Sequence, residues 1–234
     1  MSSSNPSKLK SDSDNGRDQG TADHRDPAQN EICGRPPNRD EIPKIPSTLR
    51  AYYQPILGDL NQEPSHQQLI ALTSCKPGEG VSTVATQLAI CAAQQGTQVL
   101  LIDCNENNPC LHRTFGVKSA KGFRDFLKNG NTLDTIHTTS INNLSIMPFG
   151  RGRIMPLPIQ DFEDAIDQVM SEFDLLILDL PAISNGRHTT RWAASLEYML
   201  LIVGNSTSPM MAGKYKQRLE NAGANLCGII RNLK

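Results

Sequence analysis

No broad field of one charge runs through this sequence: 23 Lys and Arg face 24 Asp and Glu, for a formal net charge of −1. Nucleic-acid binding draws on clustered positive charge, so this balance argues against a nucleic-acid partner. Long apolar runs are missing as well. No stretch approaches the roughly 18 apolar residues that cross a bilayer, and the N-terminus lacks the apolar core of a signal peptide. A direct membrane span is therefore not expected, and any work at a membrane has to be brought there by another protein. The six cysteines, Cys33, Cys75, Cys91, Cys104, Cys110 and Cys227, form no C-x-x-C pair and no metal-type spacing, which points to reduced thiols in a cytoplasmic protein. His66, His112 and His137 also lack any pairing suited to metal or acid–base work.

Residues 1–40 contain hardly an apolar side chain. Such a segment cannot bury enough surface to offset the entropy of ordering, so it reads as a disordered tail. Residues 41–65 form a linker punctuated by Pro43, Pro46, Pro55 and Pro64, with room for one short helix from Leu49 to Leu60 in which Tyr52 and Tyr53 are packing residues. The remaining 66–234 suit one domain.

Within that domain, compact apolar runs alternate with helical patterns. Strands are expected at Leu69–Thr73, Gln98–Asp103, Asn143–Pro148, Asp174–Pro181, Tyr198–Gly204 and Leu226–Ile230. Helices are expected at Val84–Ala93, Gly122–Leu127, Asp161–Phe173 and Met210–Asn221. Continuous apolar strands separated by helices specify an α/β domain of three layers, a mostly parallel central sheet covered on both faces, with ligands at the carboxyl ends of the strands.

The stretch Ser74-Cys75-Lys76-Pro77-Gly78-Glu79-Gly80-Val81-Ser82-Thr83 sits between the first strand and the first helix of the domain. Glycines there let successive backbone N–H groups turn inward, and the helix N-terminus adds its positive dipole end. This makes Lys76, Gly78, Glu79, Gly80, Val81, Ser82 and Thr83 the candidate phosphate-binding residues. The pattern G-x-x-x-x-G-K-[ST] is incomplete, because Val81 stands where lysine is required and Cys75 where the first glycine is required. Asp103 and Asp179 close two apolar strands. They are the candidate catalytic acids and, with Ser82, the candidate magnesium ligands of a nucleoside triphosphate. Arg187, His188 and Arg191 beside Trp192 read as a solvated helix face.

Taken together, Ser74–Thr83, Leu100–Asp103 with Pro109 following, Asp174–Pro181 and Gly228-Ile229-Ile230-Arg231-Asn232 resemble the bacterial tyrosine kinase family, P-loop proteins of capsular and exopolysaccharide synthesis within the ParA/MinD ATPase group. The resemblance covers about Arg50 to Lys234. It implies a P-loop NTPase-like fold, an ATP and magnesium site with Asn232 near the adenine base, and autophosphorylation on a C-terminal tyrosine cluster. It also implies a partner, either a membrane-embedded polysaccharide chain-length regulator or a competent kinase paralogue, and it allows a homo-oligomer. Location is then cytoplasmic, peripheral to the inner membrane at most through that partner.

The chain departs from the family pattern at chemically telling places. Val81 replaces the lysine on the terminal phosphates. The motif Asp-x-Asp-x-Arg reads Asp103-Cys104-Asn105-Glu106-Asn107, and Glu-x-x-Arg-x-x-Arg survives only as Arg50 within Ser47–Tyr53. No tyrosine cluster follows the last strand in this sequence. Phosphoryl transfer depends on charge stabilisation, and losing one such contact costs about 10² or more in rate. The leading expectation is a degenerate member that acts as a nucleotide-binding or regulatory partner. An active tyrosine autokinase, with Lys76 or a partner's basic residue standing in and Tyr52, Tyr53, Tyr198 or Tyr215 as acceptor, is the first alternative. A ParA/MinD-like positioning ATPase is the second.

Overall fold

The computed structural model describes residues 47–60, 68–117, 121–130, 134–152, 159–186 and 188–233. The expected tail, residues 1–40, lies outside them. The described residues begin with α1 (Ser47–Leu60), then β1 (Gln68–Ser74), α2 (Val81–Ala93), β2 (Val99–Asp103), the short α3 (Leu111–Thr114) and α4 (Phe123–Asn129). There follow β3 (His137–Thr138), β4 (Leu144–Met147), α5 (Ile159–Met170), β5 (Leu175–Asp179), α6 (Thr189–Trp192), β6 (Tyr198–Gly204), α7 (Pro209–Asn221) and β7 (Leu226–Asn232).

One sheet contains all these strands in the order β3-β4-β2-β5-β1-β6-β7. Every pairing is parallel except β3 with β4. The two-residue β3 was not anticipated, since two positions carry no periodicity to read. Alternation along the strands divides the core. Leu69, Ala71, Leu100, Ile102, Leu176, Leu178, Met199 and Leu201 pack on one face with Phe123, Phe162, Trp192 and Leu219. On the other face, Ile70, Leu72, Val99, Leu101, Ile177, Leu200 and Ile202 pack with Leu88, Ile90 and, from α1, Tyr53 and Leu57. Strands β1, β2 and β5 are apolar nearly throughout because both faces are covered, so each side chain contributes about 1.5–3 kcal/mol of burial whichever way it points.

The insertion of β5 between β1 and β2 positions the site. Leu72 of β1 lies beside Asp179 of β5, and Asp179 lies beside Asp103 of β2. The carboxyl ends of three neighbouring strands thus bring the two acids and the Ser74–Thr83 loop to one rim of the sheet.

Candidate functional site

The loop after β1 curls because two glycines take the left-handed conformation, Gly78 at φ 83° and Gly80 at φ 91°. Gly80 is the N-cap of α2, and no side chain caps that helix start. Helix α2 therefore begins at Val81, one turn before the apolar periodicity suggested. A Cβ on Gly80 would come within 2.1 Å of Asn232 Nδ2, an amide that donates to the Glu79 carbonyl at 3.0 Å. Asn232 thus fastens the loop to the end of β7.

Glu79 is 5% exposed. Its Oε2 accepts the Lys76 N–H at 2.9 Å, and Oε1 accepts the Gly204 N–H at 3.0 Å together with the Thr207 hydroxyl. The carboxylate therefore braces the loop from within the protein, tying it to the β6–α7 connection. Val81 is buried among the apolar residues of α2 and β1. Lys76 is half-buried and does not line the cleft above the loop.

That cleft encloses about 790 Å³. Gly78 to Thr83 form its floor, with Thr86 and Gln87 of α2 beside them. The strand-end loops supply Asn105, Asn107, Asn108, Leu180 to Ala182, Asn185, Asn205, Ser206 and Asn232. Among the described residues no Lys, Arg or His lines it; Arg187 lies outside those residues. The asparagine lining was not anticipated apart from Asn232. Asn105 and Asn107 were legible only as lost members of an acidic motif, and the others sit in loops without a motif.

Asp103 and Asp179 are both fully buried, and neither lines the cleft. Asp103 Oδ1 accepts the Asn105 N–H at 3.1 Å, and Oδ2 accepts the Cys110 and Leu111 N–H groups at 2.9 and 3.1 Å. The carboxylate staples the β2–α3 loop and supports the start of α3. Cys104 is buried next to both acids; burial, and then the charges of Asp103 and Asp179, push its thiol well above the ordinary range. Of the three groups expected to hold magnesium, only Ser82 lines the cleft. With Asp103 committed to backbone amides and Asp179 outside the lining, the expected ligand set is reduced to Ser82, and these donors do not fit a magnesium ion.

His188 is not on a solvated face. Its ring stacks on Trp192 with centroids 5.0 Å apart, and Nε2 lies 4.0 Å from Glu106 Oε1. Trp192 stacks in turn on Phe162 at 4.3 Å, so apolar packing claims His188 and Trp192, while Arg191 is exposed. Tyr53 packs as expected, and its hydroxyl donates to Gln87 Oε1 at 2.6 Å; the Tyr52 side chain lies outside the described residues. No helix among the described residues is long and apolar enough to cross a membrane.

Comparison with known proteins places this geometry among P-loop proteins. The family model described as "Cellulose biosynthesis protein BcsQ" matches residues 67–219. The chain is 28% identical over 189 residues to "Tyrosine-protein kinase CpsD" of Streptococcus agalactiae, covering 77% of this chain and 82% of that one. Among solved structures it resembles the chimerical protein CapA2B2, with a TM-score of 0.70 and 27% identity over 82% of this chain and 87% of the other. It also shares its fold with the septum site-determining protein MinD complexed with Mg-ADP from Pyrococcus horikoshii, with a TM-score of 0.60 and 24% identity over 70% of each chain.

Proposed function

The chain belongs to the family of cellulose biosynthesis protein BcsQ, and on that premise we propose that it serves polysaccharide synthesis as a nucleotide-binding regulatory partner with impaired phosphoryl transfer. One observation carries the reading: the glycine loop Gly78–Thr83 lines the cleft with a buried Val81 at the position where a phosphate-bridging lysine would stand. Binding and chemistry then part company. Backbone N–H groups, the α2 N-terminus and the Ser82 and Thr83 hydroxyls suffice to hold a phosphate. Turnover needs charge on the terminal phosphoryl group as it transfers, and the described lining offers no cation for it. Asn232, at the rim, is the residue proposed to meet the adenine. The partner proposed is a membrane-embedded polysaccharide chain-length regulator or a competent kinase paralogue.

A second reading, an active tyrosine kinase, is favoured by the relative of that name. Among the described side chains its internal acceptors fit poorly, since Tyr53 is 6% exposed and Tyr198 and Tyr215 are half-buried. Equilibrium titration with fluorescent ADP and ATP analogues, alongside phosphate-release and phosphotyrosine assays, separates the two. Saturable binding without turnover supports the regulatory reading. Steady phosphate release or tyrosine phosphorylation supports the kinase, and absence of binding removes both. Val81→Lys is expected to tighten ATP-analogue binding by about tenfold, the scale of one hydrogen bond to a charged group; unchanged affinity in the same titration would mean that the loop does not cradle the phosphates.

A further inference from the structure

We infer that the cleft holds its nucleotide through neutral donors alone and draws no affinity from magnesium. The inference rests on the nucleotide-binding reading above and specifies how that site works. Magnesium recruited by a bound nucleotide is ordinarily shared between phosphate oxygens and one or two protein carboxylates or hydroxyls, directly or through its waters. Here both oxygens of Asp103 are committed to the N–H groups of Asn105, Cys110 and Leu111. Turning them toward a cation would strip acceptors from three backbone donors and release the loop that carries Asn105, Asn107 and Asn108 into the cleft.

Asp179 is fully buried, one residue before Leu180 and Pro181, which line the cleft in its place. Of the other carboxylates nearby, Glu79 faces inward to Lys76 N–H, Gly204 N–H and the Thr207 hydroxyl, and Glu106, 4.0 Å from His188 Nε2, is not part of the lining. Most polar residues of the lining instead carry hydroxyls or amides, among them Ser82, Thr83 and the asparagines. Amide and hydroxyl donors bind phosphate oxygens directly, and the one carboxylate residue among the described lining, Glu79, already has its oxygens held by three donors.

The test is titration of the full chain with fluorescent ADP in millimolar magnesium and again in EDTA, for the wild type and for Ser82→Ala. The dissociation constants in the two buffers are expected to agree within about threefold. Ser82→Ala is expected to weaken both by the same factor, because the hydroxyl acts on the phosphate rather than on a metal. A larger loss in EDTA overturns the inference while leaving nucleotide binding intact. So does a Ser82→Ala effect confined to the magnesium buffer. Absence of binding in both buffers overturns the nucleotide reading and this inference with it.

Discussion

Gly78 and Gly80 share the left-handed backbone region but differ in their surroundings, and the difference between them can be measured. A Cβ on Gly78 meets nothing within 4 Å, whereas one on Gly80 strikes Asn232 Nδ2. Gly78→Ala therefore bears only the left-handed backbone cost, about 1 kcal/mol. Gly80→Ala adds displacement of Asn232 and loss of its bond to the loop, for about 2–3 kcal/mol. Urea denaturation of the two variants should show this order, and equal losses would mean that Asn232 does not hold the loop. Cys75 offers a test by pH. Burial, and next the Glu79 carboxylate, push its thiol from 9.0 up to about 11, against the opposing pull of Lys76. Between those values the folded chain retains a proton that the unfolded chain gives up, so raising pH favours unfolding. The stability linked to the neutral thiol is complete below pH 9.0 and is lost as pH rises toward about 11. Wild-type stability should fall relative to Cys75→Ala across that window in thermal melts, and parallel curves would contradict the assignment.

The β2–α3 connection shows how an element can claim a residue whose type suggests chemistry. An aspartate at the end of an apolar strand reads as a metal or catalytic acid, yet it is also a good acceptor for turn and helix-start amides. Which use prevails depends on where the next residues go. Here Asn105, Cys110 and Leu111 fold back over Asp103. Asp103→Asn would set an amide group against at least one backbone donor, costing about 1–3 kcal/mol. Hydrogen exchange at Asn105, Cys110 and Leu111 should accelerate in that variant, and unaltered exchange would show that the staple is not formed. Glu79 plays the corresponding part between the loop and the β6–α7 connection. Its neighbours in sequence mark it as a member of a phosphate loop, while its partners Gly204 and Thr207, more than a hundred positions away, make its carboxylate a brace.

At the scale of the molecule, one sheet separates two apolar layers, and neither layer has a sheet of its own. The two faces should therefore unfold together. Trp192, the single tryptophan of the sequence, reports one face by fluorescence, and hydrogen exchange in α2 reports the other. Coincident transitions are expected, and nucleotide at about 100 times its dissociation constant should raise both by about 2.7 kcal/mol. Separate transitions would refute the shared core. The fold was legible in the sequence because buried parallel strands are apolar on both faces, so Leu69–Thr73, Gln98–Asp103 and Asp174–Pro181 announce themselves without knowledge of their neighbours. The glycine loop was legible for a similar reason, since left-handed backbone demands glycine locally. The chain by itself thus determined the strands other than β3, the longer helices between them, the glycine loop and the valine in the lysine's place, all of which depend on residues close in sequence. Only the tertiary structure decided that Asp103 and Glu79 serve backbone amides, that His188 stacks on Trp192, and that asparagines from separate strand-end loops line one cleft. Side-chain hydrogen bonding is set by which groups the folded chain brings within about 3 Å, and no local pattern carries that information.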